Sequence, residues 1–318
     1  MTKRAIGPEI SVVVPVYNEQ GNAGPLAREI DAVLRAMGKE YEIIFVNDGS
    51  TDGTLEELQQ ALTDVPRLRI LDLDGNFGEA AALTAGFQAA RGDVIVTLDG
   101  DGQNDPNDLP RLWERFQRGA VVVSGWRQRR QDGFWRRVLP SRLANWLIAR
   151  VTGIPTHDNG CGLKIYRAAV AKRVQLPKGF HRFLPAILGV QGDEVAEVPV
   201  RDRQRRHGAS HYGLNRTFIV LRDLLAVPFL VTHPRAFEVI WALVAAMAAL
   251  GGTVLAIHGN ILGTTVAAVF TLLAYAIWWN VRRFNRAQRL GVFRVRREFT
   301  RLGEGALLAQ GLRKVGVR

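Results

Sequence analysis

The 318-residue chain has one cysteine, Cys161, so no disulfide can form within it, and no Cys/His cluster suggests zinc. No loop matches GxGxxG or the P-loop, which removes the dinucleotide and ATPase sites those patterns mark. Internal repeats and low-complexity segments are absent. Met1-Thr2-Lys3-Arg4 opens on a polar stretch, so no signal peptide is expected. Acidic residues are in the minority: 30 Asp and Glu stand against 42 Lys and Arg, a formal charge of +12. Such an excess points to an anionic partner, whether nucleic acid, anionic lipid or a phosphorylated substrate. Nucleic acid fits least. The arginines do not line a soluble groove interleaved with stacking aromatics.

What is present begins with short apolar runs. Ile10–Val16 is almost wholly apolar and β-branched, as a strand buried on both faces would be. Further strands are expected at Glu42–Val46, Arg67–Leu73, Val94–Leu98 and Val121–Val123, and a late one at Val195–Val200. Helices are expected at 23–37, 54–63 and Phe77–Ala90, with another starting near Pro106. Strand and helix alternate four times in about 120 residues, which predicts a doubly wound α/β domain with a mainly parallel sheet. Ligands of such sheets bind beyond the carboxyl ends of the strands. The polar loops 17–19, 47–52 and 99–103 all leave strands at that edge and are expected to converge.

The last of these loops, Asp99-Gly100-Asp101-Gly102-Gln103, organises the chain. Two carboxylates one residue apart at a strand end can turn toward one point, and Gly100 lets a ligand approach the backbone closely. Mg²⁺ or Mn²⁺ takes such oxygen ligands together with substrate phosphates, and Gln103 can add a neutral oxygen. A solvated turn is the alternative for the stretch alone. Convergence of the three loops favours the metal.

Two basic segments follow. Residues 133–151 interleave Trp135, Leu139 and Trp146 with Arg136, Arg137, Arg142 and Arg150. This fits either an amphipathic helical pair at a membrane surface or a basic helix packed on the sheet. Arg201 to Tyr212 carries Arg201, Arg203, Arg205, Arg206, His207 and His211 around Gly208 and Ser210, as a loop that wraps an anion would. Gly179–Pro185 reads as a further docking segment.

Two uncharged runs, 239–257 and 261–279, are each about 28 Å long as helices, near the thickness of a bilayer core. A transmembrane hairpin is expected; a buried hairpin of a soluble domain is the alternative. Arginines flank its base and none lies at its tip, so both ends are placed in the cytoplasm. The domains expected are a catalytic domain at 1–213, an interfacial helix at 214–232, the hairpin at 233–281 and a basic tail at 282–318 lying on anionic headgroups. A metal site beside a membrane anchor calls for a soluble phosphate compound, such as a nucleotide sugar, and a lipid.

The chain resembles family 2 glycosyltransferases with the GT-A fold, and within them the polyprenyl-phosphate glycosyltransferases of the dolichol-phosphate mannose synthase type. The resemblance rests on Val14-Pro15-Val16-Tyr17-Asn18-Glu19, Asn47-Asp48-Gly49-Ser50-Thr51-Asp52, Asn76-Phe77-Gly78, Asp99 to Pro106, Gly162-Leu163-Lys164 and Arg206 to Tyr212, in order over residues 10–213. It implies that Pro15, Tyr17, Glu19 and Asp48 hold the nucleoside. Asp99, Gly100, Asp101 and Gln103 would take the metal and donor diphosphate, and Arg127, Arg206 and Ser210 would contact phosphates. Arg136, Arg137 and Lys164 are candidates for the acceptor phosphate, and Asp158 for a general base or, equally, for the cap of a turn. Asn47 stands where the resemblance leads one to expect aspartate, and His211 where lysine is common. The Gln-x-x-Arg-Trp signature of processive synthases is absent. The implied reaction is inverting transfer of a sugar from a nucleotide-diphosphate sugar to undecaprenyl or dolichyl phosphate, at the cytoplasmic face of a bacterial inner membrane. Self-association is left open. Two other readings are a transferase with a sugar hydroxyl acceptor and a non-catalytic nucleotide-binding scaffold.

Overall fold

The computed structural model describes residues 7–128, 139–154, 156–204, 222–231, 233–301 and 303–304. Among these residues nine strands form one sheet in the order β7-β5-β6-β4-β1-β2-β3-β8-β9. Its centre is parallel: β1 (Ile10–Val16) lies between β2 (Tyr41–Asn47) and β4 (Val94–Thr97), and β3 (Leu68–Leu73) follows β2. Apart from half-buried Pro15 these strands are buried, which is why they read as mainly apolar runs. β5 (Val122–Arg127) pairs parallel with β7 (Val195–Val200), and antiparallel β6 (Lys164–Arg167) joins β5 to β4.

Alternate strand residues feed two apolar clusters, one on each face. Val12, Val14, Ile43 and Phe45 lie in the cluster with residues of α1 (Ala23–Ala36), α2 (Thr54–Ala61) and α4 (Leu109–Gln117). Val13, Ile44 and Val46 lie with α3 (Glu79–Ala89), which approaches so closely that a Cβ on Gly86 would stand 2.2 Å from Val13 Cγ1. Ile148 of α5 (Leu139–Thr152) joins this second cluster, while Trp146 on the same helix is exposed.

After β6 come α6 (Ala168–Ala171), α7 (Leu184–Ile187) and α8 (Val227–Val231), then two long helices, α9 (Pro234–Ile257) and α10 (Ile261–Leu290). Asn260 caps α10, its Oδ1 accepting from Gly263 N at 2.9 Å. The apolar stretch of α9 has mean hydropathy 2.2 and none of it is buried; that of α10 has 1.9 and is 11% buried. A hairpin inside a soluble core would be mostly buried. Met247, Ile257, Ile261 and Leu272 instead expose most of their surface, so these helices have the length, composition and exposure of membrane spans.

Three expectations change. α10 does not end near residue 279 but runs through Leu290, so Arg282, Arg283, Arg286 and Arg289 lie on the same helix as the apolar run. Its lower end is part of the globular core: Ile277, Val281 and Phe284 are buried with α3, and Phe180 packs on Phe284 at 6.5 Å. The 179–185 segment therefore docks this helix. Leu224 and Leu230, expected on an interfacial helix, are buried in the same cluster; residues 214–221 lie outside the described residues. Finally, β8 (Val295–Thr300) pairs antiparallel with the β3 edge, and β9 (Gly303–Glu304) pairs with β8. The basic tail thus returns to the sheet. Buried Arg69 fixes it there, bonding Glu42 on one side and Glu298 of β8, at 2.8 Å, on the other.

Candidate active site

The loops after β1, β2 and β4 meet at the carboxyl edge. A Cβ on Gly100 would lie 2.5 Å from Val16 Cγ1 and 2.8 Å from the Pro15 carbonyl, so only glycine lets the β4 loop pass the end of β1. A Cβ on Gly162 would stand 2.2 Å from the Asp99 carboxylate. The turn before β6 is therefore the floor on which Asp99 rests, and Thr97 Oγ1 ties the two by donating to Gly162 O at 2.7 Å. Asn104 accepts from Asp99 N at 3.1 Å, and Asp101 accepts from Gln103 N at 3.0 Å, which fixes the loop between the two aspartates.

Asp99 and Asp101 are each half-buried. Burial pushes the Asp99 carboxyl up to about 7; Glu79 and Asp101 add to this, against the positive charges of Arg127 and Lys164. A divalent cation would offset this crowding of negative charge. Among the described residues no three His, Cys, Asp or Glu side chains form a protein-only cage. Two carboxylates with a neutral amide fit a cation that shares its coordination with a substrate diphosphate, and the donor set is hard oxygen as Mg²⁺ or Mn²⁺ requires.

The nucleoside candidates lie along the adjoining edge. Tyr17 is exposed, Pro15 is half-buried, and Asn18 takes the left-handed conformation at φ 54°. Glu19 accepts from Asn22 Nδ2 at 2.8 Å, and its backbone N–H donates to Thr54 Oγ1 at 2.8 Å. Asp48 is buried and accepts from the N–H groups of Phe77 (2.8 Å) and Gly78 (2.7 Å). Burial raises its carboxyl above the ordinary range despite those two bonds and nearby Lys178. Asp48 therefore clamps the β3–α3 loop to the β2 end.

Three candidates turn out to have partners inside the fold. Arg127 and Asp158 form a buried bidentate pair at 2.8 and 3.1 Å. Burial alone would weaken the Arg127 charge, but the hydrogen bonds and charge of Asp158 more than restore it, so the guanidinium stays charged. Asp158 thereby loses the freedom of a general base. Lys164 is buried, and its Nζ donates to the carbonyls of Asn159 (3.0 Å) and Cys161 (2.6 Å), which gives it a part in shaping the floor loop. Cys161 is buried beside them, its thiol pushed up to about 12 by that burial, so it is an inert wall rather than a nucleophile.

The basic 201–212 loop starts at this edge. Arg203 N donates to Gln103 O at 3.0 Å, and its guanidinium binds Glu29 (2.7 Å) and Asp105 (2.5 Å), while Arg201 N donates to Asp108 Oδ2 at 2.7 Å. The sequence reading had no role for Asp105, Asp108 or Glu29. Of the three only Asp105 carried a signal, in the Asn104-Asp105-Pro106 motif, which holds the root of the loop beside the aspartate pair. Arg136, Arg137, Arg206 and Ser210 lie outside the described residues.

A model of the family described as "Glycosyl transferase family 2" matches residues 11–175, which span every strand end just described up to the β6 floor. The chain belongs to this family. The family 2 chain is 43% identical over 229 residues to dodecaprenyl-phosphate galacturonate synthase of Rhizobium johnstonii, covering 71% of this chain and 68% of the relative. It is 39% identical over 270 residues to undecaprenyl-phosphate 4-deoxy-4-formamido-L-arabinose transferase of Edwardsiella ictaluri, covering 83% and 82%. Among solved structures it is similar to glucosyl-3-phosphoglycerate synthase from Mycobacterium tuberculosis, determined with Mn²⁺, UDP and glucosyl-3-phosphoglycerate (TM-score 0.54, 20% identity, 70% of this chain and 79% of that one). Mannosyl-3-phosphoglycerate synthase from Rubrobacter xylanophilus is similar too (TM-score 0.56, 18% identity, 70% and 74%). At these identities the structures establish the fold, which is of the GT-A type.

Proposed function

We propose that this family 2 glycosyltransferase moves a sugar from a nucleoside-diphosphate sugar to a polyprenyl phosphate at the cytoplasmic face of a membrane. The observation that carries the reading is a juxtaposition. The Asp99–Asp101 site lies on a domain whose apolar core takes in the foot of α10, a helix long and apolar enough to span a bilayer. A soluble anionic donor and a lipid acceptor can meet only at such a boundary. Both relatives named above carry a polyprenyl phosphate in their names, which supports this acceptor.

Pro15, Tyr17, Glu19 and Asp48 form the nucleoside end of the site, and Asp99, Gly100, Asp101 and Gln103 the diphosphate end. Asp99 and Asp101 would hold a divalent cation, which would supply positive charge to stabilise the departing nucleoside diphosphate. A phosphate oxygen of the lipid attacks the anomeric carbon. The bond from that carbon to the donor diphosphate breaks, and the configuration inverts. The attacking phosphate is already anionic at neutral pH, so no general base is needed. The Arg127–Asp158 pair agrees with this: the carboxylate offered as a candidate base is committed to a guanidinium. A hydroxyl acceptor would need a base, and that tells against the alternative. Arg203 roots the basic loop on Gln103 and Asp105, and the family resemblance assigns Arg206 and Ser210, further along the sequence, to the donor phosphates. Arginines at the base of the hairpin and none at its tip put both chain ends on the cytoplasmic side.

The test is a transfer assay on the full chain in detergent, with undecaprenyl phosphate, Mg²⁺ or Mn²⁺ and a panel of uridine- and guanosine-diphosphate sugars. Nucleoside diphosphate release that needs both lipid and metal supports the reading. Release at the same rate without lipid phosphate refutes the acceptor.

A further inference from the structure

Asn47, Asp72 and Arg297 occupy directly paired positions on β2, β3 and β8. Asn47 Nδ2 donates to Asp72 Oδ1 at 2.9 Å, and Arg297 NH2 donates to Asp72 Oδ2 at 3.2 Å. The other end of the Asn47 amide accepts from Ser50 N at 3.2 Å. Ser50 Oγ accepts from Asn18 N at 3.0 Å, and Asn18 Oδ1 accepts from Thr51 N at 2.8 Å. One chain of hydrogen bonds thus runs from the strand that follows the apolar hairpin to both nucleoside loops, 17–19 and 47–52.

A second contact runs beside it. Arg294 O accepts from Asp74 N at 3.0 Å, and Arg296 reaches the Asp74 carbonyl at 3.4 Å. Asp74 begins the loop whose Phe77 and Gly78 N–H groups bind Asp48. In the same loop Gly75 lies so close to Gly49 that a Cβ there would come within 2.6 Å of the Gly75 carbonyl carbon.

We infer that the Arg297–Asp72–Asn47 relay makes β8 a positioning element of the nucleoside site. Asn47 and Asp72 are both buried, so their pairing has a strict polarity: one must donate and the other accept. An aspartate at 47 would set two buried carboxylates against each other and turn a second acceptor toward Asp72. That accounts for asparagine at a position where the family resemblance leads one to expect aspartate. None of the three residues needs to touch the nucleotide, because they hold the backbone that does.

This inference rests on the donor reading above, and the experiment separates the two. UDP binding with Mn²⁺, and GDP binding in parallel, is measured by calorimetry on the full chain in detergent for wild type, Asn47→Asp, Asp72→Asn, the double exchange Asn47→Asp/Asp72→Asn, Arg297→Gln and Arg297→Lys. Amide hydrogen exchange at residues 50 and 51 is followed in the same proteins. Each single change at 47 or 72 is expected to weaken nucleotide binding about tenfold and to speed exchange at residues 50 and 51. The double exchange restores a donor facing an acceptor and is expected to return binding to within about threefold of wild type. Arg297→Gln, on a half-exposed residue that leaves the core intact, is expected to weaken binding, with Arg297→Lys nearer to wild type. In transfer assays the loss should appear as a rise in donor KM larger than the fall in kcat. Singles that bind and exchange like wild type overturn the relay. So does a double exchange no better than the singles, which would mean that Asn47 acts by touching the base itself. If wild type binds neither nucleotide, the donor reading fails, and exchange at residues 50 and 51 alone decides whether the relay orders the loop.

Discussion

Asp99 depends on a residue with no side chain. Gly162→Ala would drive a methyl group into the Asp99 carboxylate, 2.2 Å away, and move it off the site. Transfer is expected to fall at least about a hundredfold, as for direct loss of a group that stabilises the leaving charge, while far-ultraviolet circular dichroism stays that of the wild type. Asp158 makes the opposite prediction. Its substitution by asparagine leaves the Arg127 guanidinium buried with half its partner gone, at a cost of about 3 kcal/mol, read as a lower Tm. A general base in its place would leave the Tm alone and remove the low-pH limb of the kcat profile. The aspartate pair was legible in the sequence because its chemistry is local: two carboxylates, a glycine and an apolar run that ends. The Arg127–Asp158 pair was not legible. Its members stand at the end of β5 and in the loop before β6, and only the folding of that loop brings them together.

At the scale of elements, the central strands were readable because burial on both faces demands uninterrupted apolar residues. β8 has no such need. Val295-Arg296-Arg297-Glu298-Phe299-Thr300 lies near the sheet edge with Arg296 and Arg297 outward, so it reads as a charged tail. Its hold on the sheet is a buried polar contact that no periodicity shows. Glu298→Gln weakens the partner of Arg69 Nε, and stability is expected to drop by about 1–3 kcal/mol in urea unfolding of the detergent-solubilised chain. An unchanged midpoint would mean that Glu42 alone satisfies Arg69. The extension of α10 past its apolar run was missed for a related reason. Arginine is a good helix former, so a change in polarity marked the membrane boundary without marking the helix end. Gln288, near that end, exchanges two hydrogen bonds with the backbone of Gln175, at 2.6 and 3.0 Å, and so locks the helix to the globular domain.

In the whole molecule, the foot of α10 joins the apolar cluster on one face of the sheet and strand β8 pairs with β3, so the chain on either side of the apolar hairpin closes into one body. Removing the divalent cation with excess chelator should abolish transfer and leave the far-ultraviolet circular dichroism unchanged, since the aspartate pair lies on a loop beyond the end of β4. Transfer that persists in chelator would sink the metal assignment. The central claim is most directly tested by mass spectrometry of the lipid after reaction with the donor that supports turnover. The account predicts undecaprenyl monophosphate heavier by one sugar residue, formed in step with nucleoside diphosphate. A lipid that gains sugar and a second phosphate with nucleoside monophosphate released, or nucleoside diphosphate release with no glycosylated lipid, would contradict it.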